Sequence, residues 1–227
     1  MSDIAQVVSL LIKAYGYHEC QPNNRPLDEL IKTILSQNTS DTNSGRAFDS
    51  LRSSFPSWEE VINAPEGRIA DSIKVGGLNQ IKSKRIKQVL AEIKRKRGKL
   101  DLDFLDGLSI DEARDWLKQL PGVGDKTANC VLLFASCRPA LPVDTHIFRV
   151  SKRLGLIGFK ANVDQAHTVL QSLVPQDSVY QFHILMIEHG RRTCKAQRPR
   201  CTECVLGKIC PSYEVFVNSS TDGIGKL

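Results

Sequence analysis

Leu120-Pro121-Gly122-Val123-Gly124-Asp125-Lys126-Thr127-Ala128 is the stretch around which the rest of the chain falls into place. Upstream, Ser109 and Glu112 have the S/T-x-x-E spacing of a capping box, and Ala113, Trp116, Leu117 and Leu120 recur at helical spacing. A helix therefore runs into Pro121-Gly122 and has to stop there, with two glycines available for the turn. Downstream, Ala128, Val131, Leu132 and Ala135 open a second apolar helical run. The stretch reads as helix, tight Gly-x-Gly hairpin, helix. Such a hairpin leaves backbone N–H groups of Gly122, Gly124 and their neighbours unpaired at the positive start of the second helix. Fixed donors of this kind bind phosphate without needing base identity. A bare Gly-x-Gly is equally a stiff inter-helix turn; Lys126 is what adds chemistry. It falls in the first turn of the second helix, where the positive dipole end disfavours a protonated amine and so favours a nucleophilic one.

The sequence has 227 residues, enough for one large domain or two small ones, and a formal charge of +6 that favours a polyanionic partner. The charge is uneven. Between Lys82 and Lys99 nine Lys and Arg residues stand against one acid, Glu92. A solvated helix face explains any charge run, but this imbalance points to phosphate contact. No secretory segment opens the chain and no apolar run is long enough to span a bilayer, so an intracellular protein without a membrane partner is expected. That places it in the cytoplasm or nucleoid of a prokaryote, or the nucleus of a eukaryote.

Helical periodicity runs over Asp3–Tyr15, from Pro26 at a first turn to Leu35, over Thr42–Phe55, and over Ser83–Arg97, which Gly98 stops. Ser57 and Glu60 form a second capping-box pattern before a helix that Pro65 ends. Further helical runs cover Ile147–Leu156, Val163–Leu173 and Ser178–Gly190. No segment combines period-two alternation with β-branched enrichment between turn signals, so the fold class is all-α. The tail, rich in Ser, Thr, Asp and Gly from Asn218, has the composition of a disordered segment.

Two further signals carry chemistry. Cys194, Cys201, Cys204 and Cys210 are spaced C-x6-C-x2-C-x5-C, close enough to surround one metal centre. Zinc ribbons usually bring two short Cys-x2-Cys knuckles and here there is one, so the spacing leaves structural zinc and a cubane iron–sulfur cluster both open. Arg191, Arg192, Lys195, Arg198 and Arg200 ring this loop and would offset the negative charge of four thiolates. Cys20, Cys130 and Cys137 read as small core residues. Asp144, following Pro142 and opening a helix, is a good N-cap; a nucleophilic lysine also needs a carboxylate to shuttle protons, and the two roles do not conflict.

LPGVGDKTAN, PVDTHIFRV, and HGRRTC with its four-cysteine loop together resemble the endonuclease III family of helix–hairpin–helix DNA glycosylases, from about Leu27 to Cys210. The resemblance implies two helical domains flanking a DNA-binding cleft: a six-helix barrel with the hairpin over 23–136, and an iron–sulfur domain of 1–22 with 137–215, followed by a flexible tail, 216–227. It implies a base-excision repair glycosylase with abasic-site lyase activity, acting on double-stranded DNA with damaged bases or abasic sites, and a monomer. By motif position Lys126 corresponds to the lysine that attacks the deoxyribose C1′, and Asp144 to the aspartate that assists proton transfer. Cys194, Cys201, Cys204 and Cys210 match the ligands of a [4Fe–4S] cluster. Asn38, Leu78 and His146 match positions that meet the DNA around the base flipped out of the stack.

Departures from the family pattern lie near the flipped base. Asn38 stands where a longer Gln is common, Gln37 replaces a small residue, and Asn79 stands where Tyr is more usual. The Gln-Asn-x-Ser-Asp string weakly resembles plant demethylase glycosylases of the same superfamily. Oxidised pyrimidines are the expected substrates, and thymine mismatches or 5-methylcytosine the alternative. A non-catalytic DNA-binding module would account for hairpin, charge and cysteines, but not for Lys126 and Asp144.

Overall fold

The computed structural model describes residues 3–221, and all regular secondary structure among them is helical. Helix α1 (Ile4–Tyr15) comes first, followed by α2 (Pro26–Ser36), α3 (Asp41–Ser54), α4 (Trp58–Asn63), α5 (Glu66–Ser72), α6 (Asn79–Arg97), α7 (Ile110–Lys118) and α8 (Asp125–Ser136). Then come α9 (Thr145–Arg153), α10 (Val163–Leu173), α11 (Val179–Arg192) and α12 (Tyr213–Thr221). The chain forms two compact units, Gln21–Arg138 in one, and Met1–Cys20 with Pro139–Leu227 in the other.

Within Gln21–Arg138, α2 and α8 make the most extensive helix pair. Leu27, Leu30, Ile31, Ile34 and Leu35 of α2 are all buried, the i, i+3, i+4, i+7, i+8 stripe of a core-facing helix. Each buried aliphatic side chain contributes about 1.5–3 kcal/mol by removal from water, so packing rather than propensity holds this helix. On α8 the facing residues Ala128, Val131, Leu132 and Ala135 are buried as their spacing predicts. Trp58, at the start of α4, donates from Nε1 to Asp28 Oδ1 at 3.0 Å, joining α4 to α2.

In the other unit α11 packs against α1 and α9 around Phe182, Leu185 and Met186. His183, buried, bonds through Nδ1 with the Pro142 carbonyl at 3.0 Å and so fixes the approach to α9. Residues 216–221 lie in α12, which corrects the flexible tail expected from 216; residues 222–227 lie outside the described residues. Cys20 and Cys137 each take part in a disulfide and are not the small core thiols that the sequence reading takes them for, whereas Cys130 carries no disulfide and is buried.

Candidate active site

The hairpin is built as its sequence dictates. Ser109 accepts from Glu112 N while the Glu112 carboxylate accepts from Ser109 N, a complete capping box that starts α7. After α7, Leu120 N bonds Leu117 O at 3.0 Å and Val123 N bonds Leu120 O at 3.2 Å, turning the chain with Leu120 and Val123 buried beneath it. Gly122 takes φ +68°, the left-handed region, and a Cβ there would fall 1.1 Å from Arg85 Nη1. Gly124 is the N-cap of α8 and offers no side-chain cap. The first helical bond runs from Ala128 N to Gly124 O at 3.0 Å, which leaves the amides of Asp125, Lys126 and Thr127 without a helical carbonyl. Lys126 is half-buried in that first turn. The hairpin is closed by Lys118 with Asp125 at 2.7 Å and by Arg114, whose Nε donates to the buried Asn129 at 2.8 Å.

Asn38 and Leu78 occupy two exposed loops of the same unit, and both take left-handed backbone, φ +53° and φ +50°. For a leucine this is an outlier that costs energy and marks a constrained tip. Leu78, 48% exposed, is the N-cap of α6 and brings no side-chain cap, so the helix starts at Asn79 where the sequence places it at Ser83. Asn79 donates from Nδ2 to the Ala70 carbonyl at 3.1 Å, which ties it to α5.

Part of the basic run on and after α6 is held by carbonyls or by ion pairs at the protein surface. Lys82 is buried; Lys87 donates to the Ala64 carbonyl at 2.6 Å; Arg95 and Lys96 pair with Glu92; Arg97 stacks on Phe104 and Lys99 pairs with Asp101. Arg85 remains against the hairpin glycine.

In the other unit, Asp144 caps α9: its Oδ1 accepts from Ile147 N at 2.7 Å, the capping role its position suggests. His146, half-buried in the first turn of α9, contacts α11 where Gly190 has no side chain; a Cβ there would meet the His146 Cβ at 2.9 Å. Arg149 bonds His146 Nδ1 at 3.2 Å, the Gly190 carbonyl at 2.9 Å and the Cys194 carbonyl at 3.1 Å.

The four cysteines line one small cavity of about 20 Å³, with Val150, Leu154, Leu206 and Phe216 as its apolar wall. Arg153 donates to Cys194 Sγ at 3.3 Å, and His189, 1% exposed, approaches Cys204 Sγ with Nε2 at 3.6 Å. The Tyr15 hydroxyl meets His189 Nδ1 at 2.9 Å on the far side of that ring. Arg149 and Arg153 of α9 thus reach the cysteine loop, and Arg200 of the expected basic ring also lines the cavity. Arg192, expected in the basic ring, pairs with Glu188 at 3.0 Å instead. Burial, then the neighbouring cysteines, pushes Cys201 and Cys210 above the ordinary thiol range and Cys204 up to about 11. Burial also takes His189 down to about 4, leaving it neutral at physiological pH.

Residues 31–176 match the model of the HhH-GPD superfamily of base excision DNA repair proteins, a span that includes the hairpin, Lys126, Asp144 and His146. The chain belongs to that superfamily. The endonuclease III of Thermotoga maritima is 37% identical over 188 residues, 83% of this chain and 84% of its own. An Arabidopsis thaliana relative carrying a DNA glycosylase name is 39% identical over 165 residues, 73% of this chain, which spans 56% of the relative's length. Among solved structures, a trapped endonuclease III–DNA covalent intermediate superposes with a TM-score of 0.79 at 28% identity, covering 96% of this chain and 100% of that one. The HhH-GPD chain is thus an enzyme, a DNA glycosylase related to endonuclease III.

This glycosylase places Asn38, Leu78, Gly122, Gly124 and Lys126 in one unit, and Asp144, His146 and the four cysteines in the other. Sequence reasoning missed Glu29 of α2. Burial raises its carboxyl, while Lys32, an Asn23 hydrogen bond and the charge of Lys126 oppose the rise, so a carboxylate lies within electrostatic reach of Lys126. It missed Lys82, Arg149 and Arg153 as well, because each is bonded to a carbonyl or thiol remote in sequence.

The cysteine cavity fits an iron–sulfur cluster. Its donors are four soft thiols in an apolar wall, supplemented by Arg153 and His189 beside two of the sulfurs. Thiols whose pKa values are raised together need a compensating metal charge to become thiolates. Among the described residues no three His, Cys, Asp or Glu side chains converge as a group that could hold a single metal ion.

Proposed function

We propose that the protein is a bifunctional glycosylase that excises oxidised pyrimidines from duplex DNA and then cleaves the strand at the abasic site, acting as a monomer. The observation that carries this is Lys126, held in the first turn of a helix whose amide end is left open by Gly124. The open end and Gly122 receive a DNA phosphate through backbone donors. Arg85, beside Gly122, adds positive charge there. Asn38 and Leu78 fill the gap left by the flipped base, and His146 adds a contact from α9.

The Lys126 amine attacks C1′ as the N-glycosidic bond breaks, and the departing base takes a proton. The amine then loses its own proton to give an imine with the opened sugar. Loss of a C2′ proton expels the 3′ phosphate by β-elimination, cleaving the strand, and water releases the lysine. Asp144, its rotamer fixed by capping Ile147 N, is the carboxylate assigned to these proton transfers. Cys194, Cys201, Cys204 and Cys210 would hold a [4Fe–4S] cluster, which when bound cross-links the loop 194–210 and carries electrons if it changes oxidation state.

A second substrate reading, thymine mismatches or 5-methylcytosine, is motivated by the departures at Gln37, Asn38 and Asn79 from the family pattern near the flipped base. Borohydride trapping separates the readings. Duplexes containing an abasic site, thymine glycol, dihydrouracil, thymine opposite guanine or 5-methylcytosine are offered to the wild type and to Lys126→Gln. Adducts with abasic and oxidised-pyrimidine duplexes, absent in Lys126→Gln, are expected. Adducts confined to abasic, mismatch or methylated duplexes move the substrate to the second reading, and no adduct with any duplex removes the lyase assignment. The purified protein is expected to be yellow-brown and to contain iron and labile sulfide; a colourless, zinc-loaded and active protein refutes the cluster.

A further inference from the structure

Lys82 is 3% exposed and spends its charge on carbonyls. Its ammonium donates to Leu35 O at 2.7 Å and to Gly76 O at 2.8 Å. Leu35 is the penultimate residue of α2, three positions before Asn38; Gly76 ends the 3-10 turn Lys74–Gly76, two positions before Leu78. One side chain therefore joins the stems of both left-handed tips. Each stem is also braced elsewhere: a Cβ on Gly76 would lie 3.0 Å from Ala47 Cβ of α3, and Asn79 is tied to Ala70 of α5.

Fold stability does not explain a lysine here. Burial lowers its pKa, so part of the stabilisation available from its hydrogen bonds is lost to desolvation. A buried charge without an ionic partner is costly, and an apolar side chain of similar volume is usually the more stable choice. What an ammonium supplies and methionine does not is directed bonding to two acceptors at once. It also satisfies a carbonyl at the C-terminus of α2, where the helix has none of its own donors left.

We propose that Lys82 is a positioning residue that fixes the Asn38 and Leu78 tips at one spacing, so that they enter the gap behind the flipped base as a rigid pair. The proposal rests on the reading that these tips meet DNA. A displacement of about 1 Å at a site of this kind can cost up to a hundredfold in function, and two loops free to move separately would have to be ordered on every binding event.

The test is a cycle of binding measurements with the full chain. One duplex carries a tetrahydrofuran abasic analogue opposite 2-aminopurine, and the other is undamaged. Gap filling displaces the 2-aminopurine and raises its fluorescence, whichever lesion is the natural substrate. Lys82→Met is expected to keep its melting temperature and its affinity for undamaged duplex. It should lose on the order of tenfold in preference for the abasic duplex, together with most of the fluorescence rise. In an Asn38→Ala/Leu78→Ala background Lys82→Met should cost nothing further, because it acts through those two residues. Wild-type preference and fluorescence in Lys82→Met, or losses that add fully in the combined variant, overturn the proposal. If Asn38→Ala/Leu78→Ala itself leaves preference and fluorescence intact, the reading of the tips fails, and the proposal with it. If Lys82→Met melts below the assay temperature, Lys82→Gln, which retains an amide donor, takes its place in the same cycle.

Discussion

The N-termini of α8 and α9 share a backbone and differ in what they present. Gly124 precedes α8 at φ −102°, ψ −175°, and Asp144 precedes α9 at φ −98°, ψ −176°. At α9 the Asp144 carboxylate is bonded to Ile147 N, so that helix end carries its own anion. At α8 nothing caps the end, and the positive amides remain for an anion from outside. Glycine at 124 is required neither by its dihedrals, which any residue adopts, nor by crowding, since a Cβ there would meet nothing within 4 Å. Gly122 is the opposite case, fixed by a left-handed φ and by Arg85. One side chain thus separates a helix end without a side-chain cap from one capped by its own carboxylate.

The largest effect should come from removing the charge of the closed end while leaving it closed. Asn caps helices about as well as Asp. Asp144→Asn should therefore keep the melting temperature and lose roughly 10²–10⁴-fold in single-turnover excision, the range for a general acid or base. Asp144→Ala should lose the same activity and, in addition, about 1 kcal/mol of stability with the cap. Equal activity in wild type and Asp144→Asn would show Asp144 to be a cap and nothing more.

A smaller effect should follow from closing the open end. Gly124→Asp copies the α9 arrangement onto α8, supplying both a cap and a negative charge to the first turn. Stability should hold or rise by a few tenths of a kcal/mol, because replacing Asp by Gly at an N-cap costs only that much. Affinity for duplex DNA should fall roughly tenfold or more, the equivalent of one lost charge-assisted hydrogen bond. Gly122→Ala should lose about 1–2 kcal/mol of stability to the left-handed backbone. Unchanged DNA affinity in Gly124→Asp, measured at fixed salt, would remove the phosphate role from the hairpin.

Both helix ends were legible because their signals are local. The Ser109–Glu112 box, the two hairpin glycines and the Asp144 cap each act within a few residues of themselves. In the basic run from Lys82 to Lys99 the sequence gives the charges but not which of them packing engages: Lys82 and Lys87 donate to Leu35 O and Ala64 O, carbonyls remote in sequence. The start of α6 was hidden because Leu78 serves as N-cap with no polar atom to announce it. On the cysteine loop the spacing identified the four sulfurs. Arg149 and Arg153 come from a helix some forty residues upstream and add to the expected basic ring, of which Arg200 lines the cavity; no spacing rule could show them.

The smallest effect concerns a carboxylate near the open end. At α9 the nearby acid is the cap itself; at α8 the acids are Asp125 of the first turn, paired with Lys118, and Glu29 of α2, which accepts from Asn23 Nδ2 at 3.1 Å. Burial raises the Glu29 carboxyl above the ordinary range. A group with a raised folded pKa holds more protons in the folded state. Its contribution to stability is therefore complete below the unfolded pKa and is lost as pH rises through the folded value. Glu29→Gln mimics the protonated form at every pH. Its melting temperature should match the wild type in the acid range and exceed it slightly near neutrality, the gap opening as pH rises through the folded pKa of Glu29. A gap that is constant with pH, or that widens toward acid, would show that burial does not govern this carboxyl. In that case the charge of Lys126 and the Asn23 hydrogen bond outweigh desolvation, and Glu29 joins Asp125 as a second anion near the open end of α8.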